Sequence, residues 1–557
     1  MNTKTFLAVI LVGVLVLTSC STAADTISGS VLDENGPIAR AVVRVQTTKL
    51  STITDDDGKF RLSGLTPGKE VFITAWQSGY FIVGVPAKPG DNAIEIEIHA
   101  HAAEDNPDYA WLPSEHHPGE GEHQGCAACH SNVGTQETTS LPVDEWRLDA
   151  HSQSANNPRF ITMYNGTDVL GNQSPITRYA SSRDYGEFPL PPDLTKPYYG
   201  PGYKLDFPET DGNCAACHTP AASVNAPYGV NPTMVEGVAA EGIPCDFCHK
   251  IWDVKLDPEN QLPYLNMPGV LSYDFRRPPE GHQFFAGPYD DVAPGEDTYS
   301  PIQQESAFCA PCHHAVFWDT LVYNSYGEWL DSAYSNPETG QTCQDCHMPV
   351  GLADHFALLE EGGLVRDPET IRSHKMTGVM DEAFMQDAVM MSVGANRVGD
   401  EINVQVDIFN DNTGHHIPTD SPLRHLILVV EAFDTNGQRL TQIDGPVVED
   451  YAGIGDPANG YYAGLAGKVY AKILEDLWTE ISPSGSYWNP TRILSDNRIA
   501  AMQTDSSSYD FSAPNQGSVT LKVKLVFRRA FIEMMDQKGW DVPDIFIAEE
   551  TIMIREN

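Results

Sequence analysis

Cys126-Ala127-Ala128-Cys129-His130 is the first of five stretches of one form. The others are Cys214-Ala215-Ala216-Cys217-His218, Cys245-Asp246-Phe247-Cys248-His249, Cys309-Ala310-Pro311-Cys312-His313 and Cys343-Gln344-Asp345-Cys346-His347. Each reads as an attachment site for one covalently bound haem c. Two thiols three residues apart can add to the two vinyl groups of one porphyrin, and the next residue delivers an imidazole to its iron. The expectation is five haems, with the ten cysteines as thioether donors and His130, His218, His249, His313 and His347 as proximal iron ligands. Structural zinc also uses Cys-x-x-Cys pairs, but it takes four ligands and has no need of His after every pair. Chance repetition is excluded by composition, since the motifs take ten of the 11 cysteines.

The remaining cysteine is Cys20. Before it stand Lys4, an apolar run from Phe6 to Leu17, and Leu17-Thr18-Ser19-Cys20, which resembles a bacterial lipobox. Residues 1–19 are expected to be a lipoprotein signal peptide, with Cys20 lipidated after cleavage; an ordinary secretory signal is the alternative. Both readings export the chain, which agrees with c-type haem attachment outside the bacterial cytoplasm. The apolar run is too short to span a bilayer. No later segment reads as transmembrane, so acyl chains would be the membrane contact. The expected location is the outer membrane or cell surface, otherwise the periplasm. A formal net charge of -43 argues against nucleic acid as a partner and favours basic redox partners.

Composition divides the 557 residues further into a multidomain chain. Residues 20–100 alternate as strands do, in Ala41-Val42-Val43-Arg44-Val45 and Ala93-Ile94-Glu95-Ile96-Glu97-Ile98, with turn signals at Asn35-Gly36, Asp57-Gly58 and Pro67-Gly68. That pattern predicts an N-terminal β-sandwich. The words Gly29-Ser30-Val31-Leu32-Asp33, Thr54-Asp55-Asp56-Asp57-Gly58-Lys59-Phe60 and Gly64-Leu65-Thr66-Pro67-Gly68 resemble the carboxypeptidase-regulatory-like domain. Asp55 to Asp57 read as a hairpin turn rather than a calcium loop, because no distal Glu stands at the required spacing.

Residues 101–375 hold every motif and are rich in Pro, Gly, Tyr and Asn. Long stretches lack any period, so this part is expected to be mainly α or irregular and wrapped on haem, which would supply its folding energy. Helices are expected over Val143–Ala155, after each motif, and over Gly327–Tyr334. Glu241-Gly242-Ile243-Pro244-Cys245-Asp246-Phe247-Cys248-His249-Lys250, Glu328-Trp329-Leu330-Asp331-Ser332-Ala333-Tyr334 and Cys343-Gln344-Asp345-Cys346-His347-Met348-Pro349 resemble the multihaem cytochrome c superfamily. The resemblance covers roughly half of the chain and implies stacked and perpendicular haem pairs whose second axial ligands are remote histidines. Trp146 with His151, and Ser373-His374, are similar to its distal-ligand segments. The pentahaem nitrite reductases of that group carry Lys after one second cysteine; here every motif ends in His, and Lys250 comes one residue too late.

Residues 376–557 return to strands at Glu401–Phe409, His425–Phe433 and Val519–Phe527, predicting a C-terminal β-sandwich. Between the first two lies Asn412-Thr413-Gly414-His415-His416-Ile417-Pro418-Thr419, either a turn or a loop that returns a histidine to a haem. Candidate distal ligands are His151, His374, His282, His116 or His117, His314 and His415, with His123, His355 and His416 also in supply. His99, His101 and His425 read as strand or linker residues. If every iron has two protein ligands the chain is an electron carrier in respiratory electron transfer, and this is the preferred reading. Other redox proteins or quinol-linked membrane complexes would be its partners. If one iron stays open, it is an oxidoreductase acting on nitrite, hydroxylamine or a sulfur oxyanion, with Arg159, Arg178, Arg183, Tyr164 or Tyr179 as proton donors or packing residues.

Overall fold

The structure is a computed structural model describing residues 25–115, 125–184, 186–293 and 295–556. Cys20, His116, His117 and His123 lie outside the described residues. Two compact units are present, one built on the described residues up to Ala100 with Asp290–Val292, the other on the rest. Among the described residues no helix is long and apolar enough to cross a membrane.

The first unit has two four-stranded sheets. Thr26–Asp33 pairs with Lys59–Ser63, with the short Gly36–Pro37, and in parallel with Ile94–Glu97. The other sheet runs Ser51–Ile53, Val42–Val45, Val71–Trp76, Val83–Ala87. Alternation puts Phe60 and Leu62 inward from one sheet and Val43 and Ile73 from the other, and together with Ile27, Val31 and Ile96 they form one core. The aspartate run is a turn, as expected. Asp55 Oδ1 accepts hydrogen bonds from the Asp57 and Lys59 amides at 3.0 and 2.8 Å.

In the second unit, the strands expected at 401–409 and 425–433 occupy those residues, and the third runs Val519–Arg528. A four-stranded sheet is ordered Met390–Val398, Glu401–Phe409, Thr504–Ser512, Gln442–Asp444. A five-stranded sheet is ordered Thr491–Asp496, Gly467–Asp476, His425–Phe433, Val519–Arg528, Ile545–Ile554. Ile402, Val404, Val406 and Ile408 meet Leu426, Leu428 and Val430 between the sheets. The central strand is also covered on its other face, where Ile427 and Val429 pack with Phe531, Trp540 and Met163. Met163 belongs to the helix Pro158–Asn165, so the central region closes the outer face of this sheet.

That helix has a complete local code. The Asn157 side chain accepts from the Arg159 amide, Pro158 supplies a preset φ, and Gly166 ends the helix at φ 71°. Lys538, wholly buried at the end of the helix Ile532–Lys538, donates to the carbonyls of Thr162, Thr167 and Pro201 at 3.0, 3.1 and 2.5 Å. Trp540 Nε1 donates to Thr162 Oγ1 at 2.9 Å.

The rest of the central region is built from helical turns and two-stranded ribbons. Tyr179–Ser182 pairs with Gly186–Pro189, Ile251–Val254 with Tyr273–Phe275, and Ala315–Phe317 with Thr320–Tyr323. The helix expected over 143–155 is shorter, Pro142–Trp146. The Asp149 carboxylate accepts from the His151 amide at 2.7 Å, a local bond that competes with helix continuation. Likewise Ser325–Leu330 is helical, but Ser332 starts a separate 3-10 turn at Ala333–Ser335 by capping the Tyr334 amide.

Candidate haem centres

Each motif folds as a single helical turn: Ala127–His130, Ala215–His218, Cys245–Cys248, Ala310–His313 and Cys343–His347. The closing histidine amide donates to the first cysteine carbonyl at 3.0, 3.0 and 3.1 Å in the first three motifs. One turn therefore carries two thiols and an imidazole. The ten cysteines are free thiols, all partly exposed.

Thiols of different motifs meet. Cys126 lies beside Cys245, Cys217 beside Cys312, and Cys309 beside Cys343. The neighbouring thiol lowers the pKa of one partner of each pair, Cys245, Cys312 and Cys343. The first motif thus adjoins the third, the second adjoins the fourth, and the fourth adjoins the fifth. Lys250 is fully buried with its ammonium on the Asp246 carboxylate and 4.4 Å from the Phe285 ring centroid.

The ring nitrogens separate ligand candidates from other histidines. A metal-binding imidazole usually anchors Nδ1 on an acceptor and leaves Nε2 for the metal. His130 Nδ1 lies 2.8 Å from the Phe356 carbonyl, His249 Nδ1 2.7 Å from that of Ala286, and His347 Nδ1 2.5 Å from that of Thr377. His313 Nδ1 faces Asp420 Oδ2 at 3.7 Å. Burial lowers the His313 imidazole, but Asp420 outweighs burial and raises it to about 9. His218 has no hydrogen-bond partner at Nδ1, and the Phe160 ring lies flat against it at 3.7 Å; burial pushes its pKa down to about 4.

Among the remote histidines, His151 Nδ1 lies 2.6 Å from Asp149 Oδ1, His314 Nδ1 2.9 Å from Asn324 Oδ1, His282 Nδ1 2.7 Å from Glu296 Oε1, and His415 Nδ1 2.9 Å from the His416 carbonyl. His374 has no partner at a buried Nδ1, and burial, then His249 and His130, push it down to about 4. Its backbone amide is held by Glu145 Oε2 at 2.6 Å. His355 Nδ1 lies 2.6 Å from Asp354 Oδ1, and its Nε2, which has no hydrogen-bond partner, faces Glu137 at 3.3 Å. His416 faces Glu328, and His425 is a wholly buried strand residue stacked on Phe531.

Two remote imidazoles lie close to motif imidazoles. The ring centroids of His151 and His313 are 6.3 Å apart, and those of His347 and His415 are 6.4 Å apart. An imidazole nitrogen sits about 2 Å from a bound transition metal and about 1.2 Å from its own ring centroid, so two imidazoles that would share one iron in line would hold centroids about 6.4 Å apart. Both pairs fit that spacing, and all four rings have Nδ1 turned to an acceptor. The partner of His347 had one sequence signal, the His415-His416 word, and the structure turns His415 rather than His416 toward it.

The Asn412–Thr419 loop that carries His415 is held by a buried ionic cluster. Glu328 accepts from the Thr419 hydroxyl at 2.5 Å and the His416 amide at 3.2 Å, and it pairs with Arg498 at 2.8 Å. Arg498 also grips Asp496 at 2.7 Å. Sequence reading quoted Glu328 as part of a resembling word but assigned it no role. The Arg and Tyr residues after His151 do not converge. Arg178, Arg183 and Tyr179 belong to an exposed ribbon, whereas Arg159 lies inside, where burial and the nearby Arg529 and Arg424 push it down to about 10.

Residues 26–92 match the family description of the carboxypeptidase regulatory-like domain. The N-terminal unit is such a domain. The fold of the chain is similar to the crystal structure of a penta-haem cytochrome c552 from Thermochromatium tepidum, with a TM-score of 0.51 and 18% identity over 77% of this chain and 97% of that one. At that identity the likeness speaks for fold. It extends past residues 101–375, which make up only about half of the chain, so the cytochrome-like fold takes in sheet regions as well. A zebrafish (Danio rerio) Fcho1 mu homology domain also matches, at 12% identity over 26% of this chain and 39% of that one, but its TM-score of 0.12 carries no structural argument. No curated protein matches the chain.

Proposed function

We propose that this chain is an exported c-type cytochrome with five covalently bound haems that carries electrons in respiration. The observation that carries the proposal is the pair of imidazole spacings, 6.3 Å for His151–His313 and 6.4 Å for His347–His415. Each joins a histidine of a Cys-x-x-Cys-His turn to one far away in sequence, as saturation of an iron by two protein ligands requires. Bound haem would supply a one-electron couple at each site. The chain's own residues would do the rest. The cysteines would fix each macrocycle, the Nδ1 acceptors would aim the imidazoles that have them, and the contacts between motif turns would bring the first centre near the third and the fourth near the second and fifth. Three of His374, His314, His282 and His116 would serve the three remaining irons.

The likeness to a penta-haem cytochrome supports the haem count, and the lipobox-like Leu17-Thr18-Ser19-Cys20 supports a lipid anchor at the outer membrane or cell surface. A net charge of -43 suits a basic redox partner or the basic face of a quinol-linked complex. A second reading, reduction of a small oxyanion, draws on the like-charged cluster of Arg159, Arg424 and Arg529, which suits an anion.

Low-temperature EPR of the fully oxidised, haem-quantified protein tests the proposal. The expected result is five haems by intact mass, falling to four in the Cys309→Ser/Cys312→Ser variant, with low-spin ferric signals only. A stoichiometric high-spin signal that shifts with nitrite or hydroxylamine would replace the carrier with the oxidoreductase.

A further inference from the structure

We infer that two carboxylates, Asp149 and Asp420, hold the iron centre between His151 and His313 at a lower reduction potential than the centre between His347 and His415. The inference rests on the bis-histidine reading above and deepens it. The two pairs share one spacing but differ in what stands behind their rings. Behind His151 is Asp149 Oδ1 at 2.6 Å, and behind His313 is Asp420 Oδ2 at 3.7 Å. The nearest acceptors behind His347 and His415 are neutral backbone carbonyls, those of Thr377 at 2.5 Å and His416 at 2.9 Å, while the charges of Glu328, Asp420 and Arg498 act on His415 from farther off.

The difference has a definite sign. A carboxylate behind a metal-bound imidazole makes it a more basic ligand than a carbonyl does. Its negative charge also favours the ferric iron, which carries one more positive charge than the ferrous. Both effects resist addition of an electron, and both are strengthened where water is excluded. Asp149 is only 4% exposed, and it accepts the His151 backbone amide as well as the ring, so its place is fixed from two directions. Asp420 is held differently. Its backbone takes φ 70°, a left-handed conformation that Asp tolerates better than most residues, and its carboxylate faces both His313 and Arg424, the latter at 3.8 Å. Arg424 offsets part of the Asp420 charge, so Asp149 is the stronger of the two.

The fourth and fifth motifs are neighbours through the Cys309–Cys343 contact. A difference in potential between them gives the chain an internal slope, with an arriving electron resting at the His347–His415 centre.

The test is a spectroelectrochemical titration of the haem-loaded wild type and the Asp149→Asn and Asp420→Asn variants, with EPR on the same samples. His415→Met, which substitutes a ligand known to raise potentials, identifies the midpoint of the second centre. Each Asp→Asn change is expected to raise one and the same midpoint most, further for Asp149, with low-spin signals kept and only a smaller rise at the His347–His415 midpoint in Asp420→Asn. Asp149→Glu is expected to return that midpoint toward the wild-type value. In the wild type it must lie below the midpoint marked by His415→Met. Low-spin spectra with no midpoint moved by either Asn variant, or a reversed order of the two midpoints, would overturn the inference while leaving the ligation intact. High-spin iron in the wild type, or a His415→Met variant that moves no midpoint, would instead remove the bis-histidine reading beneath it.

Discussion

Glu328→Ala takes away the carboxylate on which the His415 loop closes. The Glu328 side chain is 2% exposed and that of Arg498 6%, so both charges are shielded from water and depend on each other. Breaking a buried ion pair by deleting one partner costs about 3–5 kcal/mol. Arg498 would keep Asp496, and the Thr419 hydroxyl and His416 amide would lose their acceptor. The retained Asp496 contact argues for the lower end, a loss of about 3 kcal/mol. The assay is urea unfolding of the haem-loaded protein, with EPR in parallel. Beyond the stability loss, the loop that presents His415 to His347 should loosen, and one low-spin signal should become high-spin. Glu328→Gln, which keeps hydrogen-bonding capacity without charge, should fall between. A Glu328→Ala protein within about 0.5 kcal/mol of wild type, the range of ordinary surface changes, would refute the idea that this cluster holds the loop.

Lys538→Met removes one ammonium from three buried carbonyls; it should cost about 1–3 kcal/mol and speed hydrogen exchange across the helix Pro158–Asn165, where Thr162 loses its partner. His425 is wholly buried, and burial followed by the nearby Arg528 pushes its imidazole from 6.5 to about 3. It stays neutral in the fold while the unfolded chain takes up a proton, so stability should fall as pH drops from 6.5 toward 3, by about 4–5 kcal/mol. His425→Leu should lack that component of the acid slope in parallel denaturation curves. Asp246→Asn would leave Lys250 buried without a counter-charge and should destabilise by about 3 kcal/mol in the same assay; an unchanged midpoint would mean that Lys250 finds another partner.

Much of this was legible in the residues. The strands at 401–409 and 425–433 carry side chains that must choose a face, and the resulting alternation or apolar run marks their ends. The motifs were legible for a chemical reason, since two thiols and an imidazole in five residues leave few other uses, but the helices expected after each of them are not formed at the third and fourth, where the strands Ile251–Val254 and Ala315–Phe317 follow because the helical turn ends within the motif. Thr504–Ser512 was not legible, because Asp505-Ser506-Ser507-Ser508 has the composition of a loop. Its strand state comes from an unbroken register with Glu401–Phe409 and from two inward rings, Tyr509 and Phe511. The His347–His415 juxtaposition depends on a bend held by Glu328 and Arg498, and neither residue carries a local signal for that task. His151 was visible as a candidate, whereas its position opposite His313 is a tertiary fact with no sequence counterpart.

The touching thiols also bear on how the molecule is made. Cys126 with Cys245, Cys217 with Cys312, and Cys309 with Cys343 each bring together sulfurs that belong to different motifs. Under oxidising conditions a thiolate beside a second sulfur is poised for a disulfide, and in each pair one partner has its pKa lowered toward that state. A cross-link of that kind would use up one anchoring sulfur from each of two sites. On the proposed five-haem reading, each sulfur would be committed to its own porphyrin before the final collapse brings these atoms together.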